Sequence, residues 1–527
     1  MRKSILWVIL AAVLMAALAA AGCGSSSDGG GSSASPAATG AVQNGGTFTI
    51  NYGEPASKFG FPLSTMQADQ WYAQFFLESM FRITDQVGEF EPALATSWDV
   101  DDKEPSVTFH LREGVKFSDG TELNADAVKF CWDQMLKAKL PSFALVKSVE
   151  VVDPLTVKAV LLQWDNTFLA NVARGDAAIY SPTAFQKTTP DEMATNPVGT
   201  GPWVLEDFQA GQAFKVKKNT GYWDAANRPH IDEVVVNQIP DPMTALSALK
   251  AGELQGINNL DPVSADELTM AGTWAMQQMA GPTQVFSFNS MDPKSVWSKK
   301  EMREALEYAI DKEGISQATG LGFMPPSYEI CKGIGEIADP GTTPRTYDPE
   351  KAKKLIADAG YADGIDIKLT YEVMRANKDT MAAIVENLNA VGIRAKLNGL
   401  DGAAFNQLSF QPAPGNDIML VAMRGGAPNV LLGVNESFSE RSIFFPGIKR
   451  PDGFQDLLNQ ALAQPTMADG TPDLVKMEKM TYADAMVVPL FVQDFVSCSD
   501  PKIVHDLNWF QGGIPQARID LAWLTQQ

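Results

Sequence analysis

The sequence predicts an exported protein whose body has mixed α/β structure and is divided into two or three domains. Arg2 and Lys3 precede an uncharged run, 5–21, and small residues then lead to Cys23, which is the order of parts in an export signal. About 480 residues follow a spacer of small residues, too many for one hydrophobic core. Strand-like and helix-like patterns alternate along this body. The chain is 45% hydrophobic and 20% charged, as is usual for a globular protein.

The first 45 residues predict attachment to a membrane. Residues 1–22 are expected to be a signal peptide, and Cys23 lies where a bacterial lipoprotein signal, which this segment resembles, carries its lipidated cysteine. Residues 23–45 consist mainly of Gly, Ser, Ala, Thr and Pro, a composition that favours a flexible tether. An uncleaved membrane anchor is the alternative. Both interpretations place the body at the extracytoplasmic face of the cell membrane.

Composition and motifs favour a binding protein over an enzyme. The formal net charge is −21, which argues against nucleic acid as a partner and weakly favours a neutral or cationic ligand. The three histidines, His110, His230 and His505, are far apart in the chain, and no local metal-binding, nucleophile or phosphate-loop motif is present. We therefore expect no catalytic residues, no metal and no cofactor.

Local patterns predict the first elements in order. A strand is expected over 47–50 and a helix over about 66–81, and strands dominate from 82 to 160. Within that region Asn124 is expected to cap a helix that continues through Leu136.

Later in the chain, Asp311 is expected to close one helix, and Asp348 to cap the next one, which ends at Gly360. The sequence leaves open whether Cys331 and Cys498 form a disulfide.

A series of motifs resembles the family 5 extracellular solute-binding proteins, the oligopeptide- and dipeptide-type substrate-binding lipoproteins of ABC importers. They occur in the family's order and cover nearly all of the body: 94–98 (LATSW), 108–120 (TFHLREGVKFSDG), 125–128 (ADAV), 196–203 (NPVGTGPW), 218–223 (KNTGYW), 303–312 (REALEYAIDK), 347–352 (YDPEKA), 359–361 (AGY) and 488–491 (VPLF). We interpret these motifs as scaffold, because glycines, prolines and helix caps fix turns and helix ends and say little about the ligand.

The resemblance implies the fold of periplasmic binding proteins, in which two α/β lobes have the ligand cleft between them. Lobe one would comprise 46–285 and 495–527, with an extra subdomain at about 80–195, and lobe two would comprise 286–494. The chain would cross between the lobes at 285–289 and again at 490–496.

The resemblance also directs attention to one stretch of lobe two. Peptide-binding members of the family often carry an aspartate there that pairs with the peptide's α-amine. The corresponding stretch of this chain begins at Asp417, and no acidic residue follows it up to Asn429. Met423, Arg424 and Asn429 are therefore predicted to face the ligand, with Arg424 as the charged determinant, because a guanidinium favours carboxylate or phosphate partners. The alternative is that Arg424 points to solvent or pairs with a scaffold carboxylate.

The remaining candidate ligand-binding residues lie elsewhere. Tyr52 and Glu54 follow the first strand, Trp71 belongs to an aromatic-rich region, and Asn289 lies at the first crossing. Ligand pockets combine apolar walls with a few placed polar groups, which this set would supply.

The function implied by the resemblance is that of a lipid-anchored receptor. It would capture a peptide-like or other small polar solute, work as a monomer and deliver the solute to the permease subunits of an ABC transporter. A sensor or chaperone on the same fold is the first alternative, and an exported hydrolase is the second.

Overall fold

The computed structural model describes residues 41–53, 56–64, 70–84, 88–331, 341–373, 375–423, 429–510 and 517–525. Cys23, Glu54 and Arg424, three of the predicted functional residues, lie outside these ranges. No helix within the ranges is both long enough and apolar enough to cross a bilayer.

The strands, in chain order, are β1 (Thr47–Tyr52), β2 (Phe81–Ile83), β3 (Phe90–Pro92), β4 (Ala95–Asp101), β5 (Ser106–Leu111), β6 (Val146–Asp153), β7 (Thr156–Leu161), β8 (Trp203–Gln209), β9 (Ala213–Lys218), β10 (Glu233–Asn237), β11 (Gly256–Asn258), β12 (Ala275–Met279), β13 (Thr283–Phe288), β14 (Ile365–Glu372), β15 (Ile393–Leu400), β16 (Ile418–Ala422), β17 (Val488–Val492), β18 (Phe495–Ser499), β19 (Val504–His505) and β20 (Trp523–Leu524).

The α-helices, in chain order, are α1 (Gln70–Ala73), α2 (Ala125–Lys137), α3 (Phe168–Val172), α4 (Pro182–Phe185), α5 (Pro190–Thr195), α6 (Pro242–Lys250), α7 (Pro262–Ala271), α8 (Lys300–Ala309), α9 (Lys312–Ile315), α10 (Pro349–Asp358), α11 (Lys378–Ala390), α12 (Gly402–Ser409), α13 (Val430–Phe438), α14 (Phe454–Leu462) and α15 (Met467–Asp484).

The first lobe is built on a seven-stranded sheet and a four-stranded sheet. The strand order of the larger sheet is β12-β18-β11-β1-β10-β9-β8, and its central strand β1 runs parallel to both β10 and β11. The four-stranded antiparallel sheet has the order β4-β5-β7-β6 and is covered by α2. One hydrophobic core joins the two sheets, whereas a smaller core lies between α6, α7, β11 and β18.

The second lobe is built on a five-stranded sheet of order β15-β14-β16-β13-β17. Strand β14 is parallel to β15 and β16, and β13 is antiparallel to β16 and β17. This lobe has a hydrophobic core of its own, to which helices α8, α10, α11, α13, α14 and α15 contribute. The two-lobed α/β fold that the resemblance implied is therefore confirmed.

Polar caps fix the helix ends that the sequence predicted. The Asn124 side chain accepts a hydrogen bond from Ala127 N–H at 2.9 Å and starts α2. Asp348 does the same for α10 through Lys351 N–H, also at 2.9 Å, and Gly360 follows the helix with φ +92°. Asp311 differs from the prediction, because it caps the start of α9 through Gly314 N–H rather than closing α8.

Close approach of two backbones explains the glycines of the 196–203 motif. A Cβ on Gly199 would lie 2.2 Å from the Phe76 carbonyl oxygen, and one on Gly201 would lie 2.6 Å from the Phe76 carbonyl carbon. Neither glycine has a positive φ, so packing rather than conformational freedom requires glycine here.

Two sequence-based expectations need correction, and the question of the disulfide, which the sequence left open, is answered. A helix was expected over about 66–81. The structure describes only α1, Gln70–Ala73, in this range, Phe81 begins β2, and residues 66–69 lie outside the described residues. Residues 285–288 lie within β13 of the second lobe, so the chain passes between the sheets at 280–282 and returns at 493–494. Cys331 and Cys498 are free thiols buried in different cores. The predicted lobe boundaries otherwise stay a prediction.

A polar contact joins the lobes through the loop before α3 and the helices α13 and α14, and we call it the outer contact. The Asn166 side chain donates to the Ala461 carbonyl at 2.8 Å, and the Asn429 side chain donates to the Asn166 carbonyl at 3.1 Å. Arg174 forms a salt bridge with Glu436 at 2.8 Å. The two lobes are therefore joined by more than their covalent connections.

Candidate functional site

A cavity of about 450 Å³ lies between the lobes, at the carboxyl ends of parallel strands. In the first lobe, Tyr52 ends β1 and is in register with Asn258, which ends β11. Loops that follow such strand ends are the usual ligand sites of α/β sheets, and the volume falls in the usual range for small-molecule pockets. The cavity is the leading candidate for the ligand site.

The first-lobe wall carries buried polar atoms that find no hydrogen-bond partner among the residues that the structure describes. They are Tyr52 Oη, Asn258 Nδ2, Asp261 Oδ2 and Ser264 Oγ. Burial raises the pKa of the Tyr52 hydroxyl above its usual value, which keeps it protonated and able to donate. Unsatisfied buried groups are costly, and these atoms leave hydrogen-bonding capacity unused on this wall of the cavity.

The second-lobe wall carries the positive charge. Arg375 follows β14 and pairs with Glu372 at 3.1 Å, while Lys378 is the first residue of α11. The amino end of α11 also presents backbone N–H groups and the positive end of its dipole. This wall therefore favours an anionic group such as a carboxylate.

The two connections between the lobes contact one another beside the cavity. Gln284 Nε2 donates to Gln493 Oε1 at 3.0 Å, and both residues line the cavity. A Cβ on Gly281 would lie within 1.8 Å of the Gln493 carbonyl oxygen, so only glycine allows the connections to pass this closely. Next to them, Gln278 donates to Asp494 at 2.6 Å, and burial raises the pKa of Asp494 to about 6.

The structure brings two of the predicted site residues to the cavity. Tyr52 and Trp71 both line it, and the Tyr52 ring lies 5.7 Å from the ring of Tyr72, measured between centroids. Their contact with a ligand stays a prediction.

Three other predicted residues lie away from the cavity, and the sequence-based placement is wrong for them. Gln284 lies near the start of β13, whereas Asn289 follows the end of this strand, about 16 Å away along the strand direction. The Asn289 side chain accepts a hydrogen bond from Asp292 N–H in a turn. Met423 is buried in the core of the second lobe, because Leu420 and Ala422 are the residues of that segment that face the cavity. Asn429 caps α13 and takes part in the outer contact.

The sequence analysis missed several residues of the lining. They are Asn258, Asp261, Gln284, Arg375, Lys378 and Gln493. The available signal for Asn258 was the polar pair that it forms with Asn259 at the end of β11. The strand has only three residues, however, so the sequence shows no alternation of polar and apolar residues there.

Comparison of sequences identifies the class of this protein. Residues 89–438 match the family described as bacterial extracellular solute-binding proteins, family 5 middle. The chain belongs to this family, as its motifs had predicted.

Particular relatives share moderate identity. Heme-binding protein A of Haemophilus influenzae is 33% identical over 339 residues, which are 57% of this chain and 60% of that protein. Glutathione-binding protein GsiB of Shigella flexneri is 28% identical over 450 residues, which are 82% of this chain and 86% of that protein. Both are named as binding proteins rather than enzymes.

Solved structures agree with the fold. The periplasmic binding protein DppA from Helicobacter pylori, in complex with the peptide STSA, has a TM-score of 0.81 at 23% identity, covering 92% of this chain and 99% of that one. A dipeptide-binding protein from Pseudoalteromonas sp. SM9913, in complex with Met-Leu, has a TM-score of 0.79 at 20% identity, covering 91% and 100%. These likenesses support the two-lobed fold.

Proposed function

We propose that this protein is a lipid-anchored extracytoplasmic receptor that captures a peptide-like or other small polar solute and delivers it to the permease subunits of an ABC transporter. The observation that carries the proposal is the cavity between the lobes, with unpaired polar atoms on one wall and cations on the other. Membership of an extracellular solute-binding family supports the location and the binding role.

The ligand class is supported by the shape and charge of the cavity. About 450 Å³ accommodates a solute of a few residues, and the opposite chemical character of the two walls suits a ligand with both an amine and a carboxylate. Relatives are named for glutathione and heme, and solved neighbours hold short peptides. Among these, the polar walls favour a peptide-like ligand.

The ligand is identified by mass spectrometry of what co-purifies with the chain lacking residues 1–22. Recovery of a small peptide or peptide-like compound, whose return to ligand-free protein raises the unfolding temperature, supports the proposal. Recovery of a porphyrin in stoichiometric amount would contradict the ligand class.

The anchor is tested separately through Cys23. Cys23→Ser should move the protein from the membrane fraction to the soluble fraction, because the acyl chains would be absent. The matched control is Ser26→Ala in the same tether, which should leave the protein in the membrane fraction. Retention of the Cys23→Ser protein in the membrane would favour the uncleaved anchor.

A further inference from the structure

The described residues that line the cavity include one carboxylate and two cations. Among the lining residues that the structure describes, Asp261 is the only acidic one, and it lies on the first-lobe wall opposite the wall that carries Arg375 and Lys378. In the peptide-binding members that this chain resembles, an aspartate on the second lobe pairs with the ligand amine. No acidic residue follows Asp417 in the corresponding stretch here. Among the described lining residues, the carboxylate therefore lies on the first-lobe wall rather than on the second.

The two oxygens of Asp261 have different roles. Oδ1 accepts from Val263 N–H at 3.0 Å and from Ser264 N–H at 3.2 Å, and so caps α7. Oδ2 is buried and has no hydrogen-bond partner within the described part of the chain. The helix cap thus uses one oxygen of the carboxylate and leaves the other available, in a place where leaving it unpaired is costly.

Two buried donors accompany this free oxygen on the same wall. Asn258 is 6% exposed, Tyr52 is 5% exposed, and the two are neighbours in the register of β1 and β11. Neither Asn258 Nδ2 nor Tyr52 Oη has a hydrogen-bond partner among the described residues. An ammonium group donates hydrogen bonds, whereas the carbonyl next to it accepts them. The wall supplies the complementary groups for both: an acceptor oxygen and two donors.

We propose that Asp261 binds the ammonium group of the ligand, and that Asn258 and Tyr52 bind the carbonyl adjacent to it. A peptide is then held with its amino end on the first lobe and its carboxylate toward Arg375 and Lys378 on the second lobe. This assignment rests on the proposed function, since it concerns the ligand of the same cavity. It makes Asp261, rather than any residue of the second lobe, the determinant for a free amine.

Asp261→Asn in the otherwise unchanged mature chain tests the assignment. Asparagine caps helices as well as aspartate does, so the α7 cap is kept while the charge is removed. The probes are Met-Leu and Ser-Thr-Ser-Ala, each free, N-acetylated and C-amidated, titrated by calorimetry. The variant should bind the free and amidated forms about 10- to 100-fold more weakly than the wild type and should bind the acetylated forms equally well, because acetylation already removes the ammonium.

Asp241→Asn is the matched control. Asp241 caps α6 through Thr244 N–H at 2.8 Å, but it is exposed and does not line the cavity. This variant should leave all affinities unchanged. Equal affinity of Asp261→Asn and wild type for the free forms, or equal weakening of the free and acetylated forms, would overturn the assignment and leave the proposed function standing. A wild-type protein that binds none of the probes would overturn both.

Discussion

Glu478 provides the sharpest test of the energetics of the second lobe. Its side chain lies on α15, is 2% exposed and accepts from Ile330 N–H at 2.6 Å. Burial raises the pKa of Glu478 to about 7, and the hydrogen bond from Ile330 opposes part of this shift. The ordinary value is 4.5, so the folded state holds a proton on this group over a pH range in which the unfolded state has released it.

The sign and size of the pH dependence follow from linkage. Between pH 4.5 and 7 this carboxyl binds more protons in the folded protein than in the unfolded chain, so its contribution to the free energy of unfolding falls as pH rises. The difference between about 7 and 4.5 corresponds to about 3 kcal/mol, which is present below pH 4.5 and lost above pH 7. Glu478→Gln keeps an oxygen for Ile330 N–H and removes the titration. Relative to the wild type, this variant should therefore gain about 3 kcal/mol between pH 4.5 and pH 8.

The assay is urea unfolding of both proteins at several pH values, with the thiols kept reduced. The control is Glu350→Gln, which removes a carboxylate whose side chain is 81% exposed and should change the pH profile little. If the difference in unfolding free energy between Glu478→Gln and wild type is the same at pH 5 and pH 8, the reasoning from burial is refuted.

Three further changes address the cavity and the lobes. Arg375→Gln should weaken the binding of peptides with a free carboxylate by about 1.5–3 kcal/mol and should leave the binding of C-amidated peptides unchanged. Calorimetry measures both affinities, and equal losses for the two kinds of peptide would contradict a role of Arg375 in charge recognition. Arg424→Ala should weaken anionic ligands by a similar amount if Arg424 is the charged determinant, and unchanged affinity would return it to the scaffold. Asn166→Ala should increase the radius of gyration of the ligand-free protein in small-angle scattering, because the outer contact loses its central side chain. Gln464→Ala is the control, because Gln464 meets Asn166 and Trp164 only through its backbone carbonyl, and an unchanged profile for Asn166→Ala would contradict the prediction.

Family membership and fold could be predicted from sequence because they depend on local features repeated along the chain. Asn124 and Asp348 cap helices through their own neighbours in sequence, so their roles are readable from short patterns. The glycines of the 196–203 motif were expected to fix a turn through their φ values, whereas Gly199 is required by its approach to the backbone of Phe76, a contact between residues far apart in the chain.

The cavity was harder to predict because side-chain direction depends on where strands start and which end faces the cleft. Asn289 and Met423 belong to segments that do reach the cavity. Asn289 lies at the far end of its strand, and the side chain of Met423 points into the core of the second lobe rather than into the cavity. Asp261 looks like an ordinary helix cap in sequence. That its Oδ2 has no partner among the described residues, and that it lines the cavity with Tyr52, is visible only in the structure.

The residues of the outer contact do not line the cavity, so substitutions there would change how firmly the lobes are held together without changing the cavity wall. When only the closed arrangement binds well, the apparent dissociation constant equals the intrinsic one divided by the fraction of molecules already closed. Each 1.4 kcal/mol removed from contacts such as Asn166–Ala461 or Arg174–Glu436 would then lower the apparent affinity up to tenfold in a mostly open population, with the cavity unchanged. Substitutions in this region therefore offer a graded series of receptors with one specificity and different working concentrations.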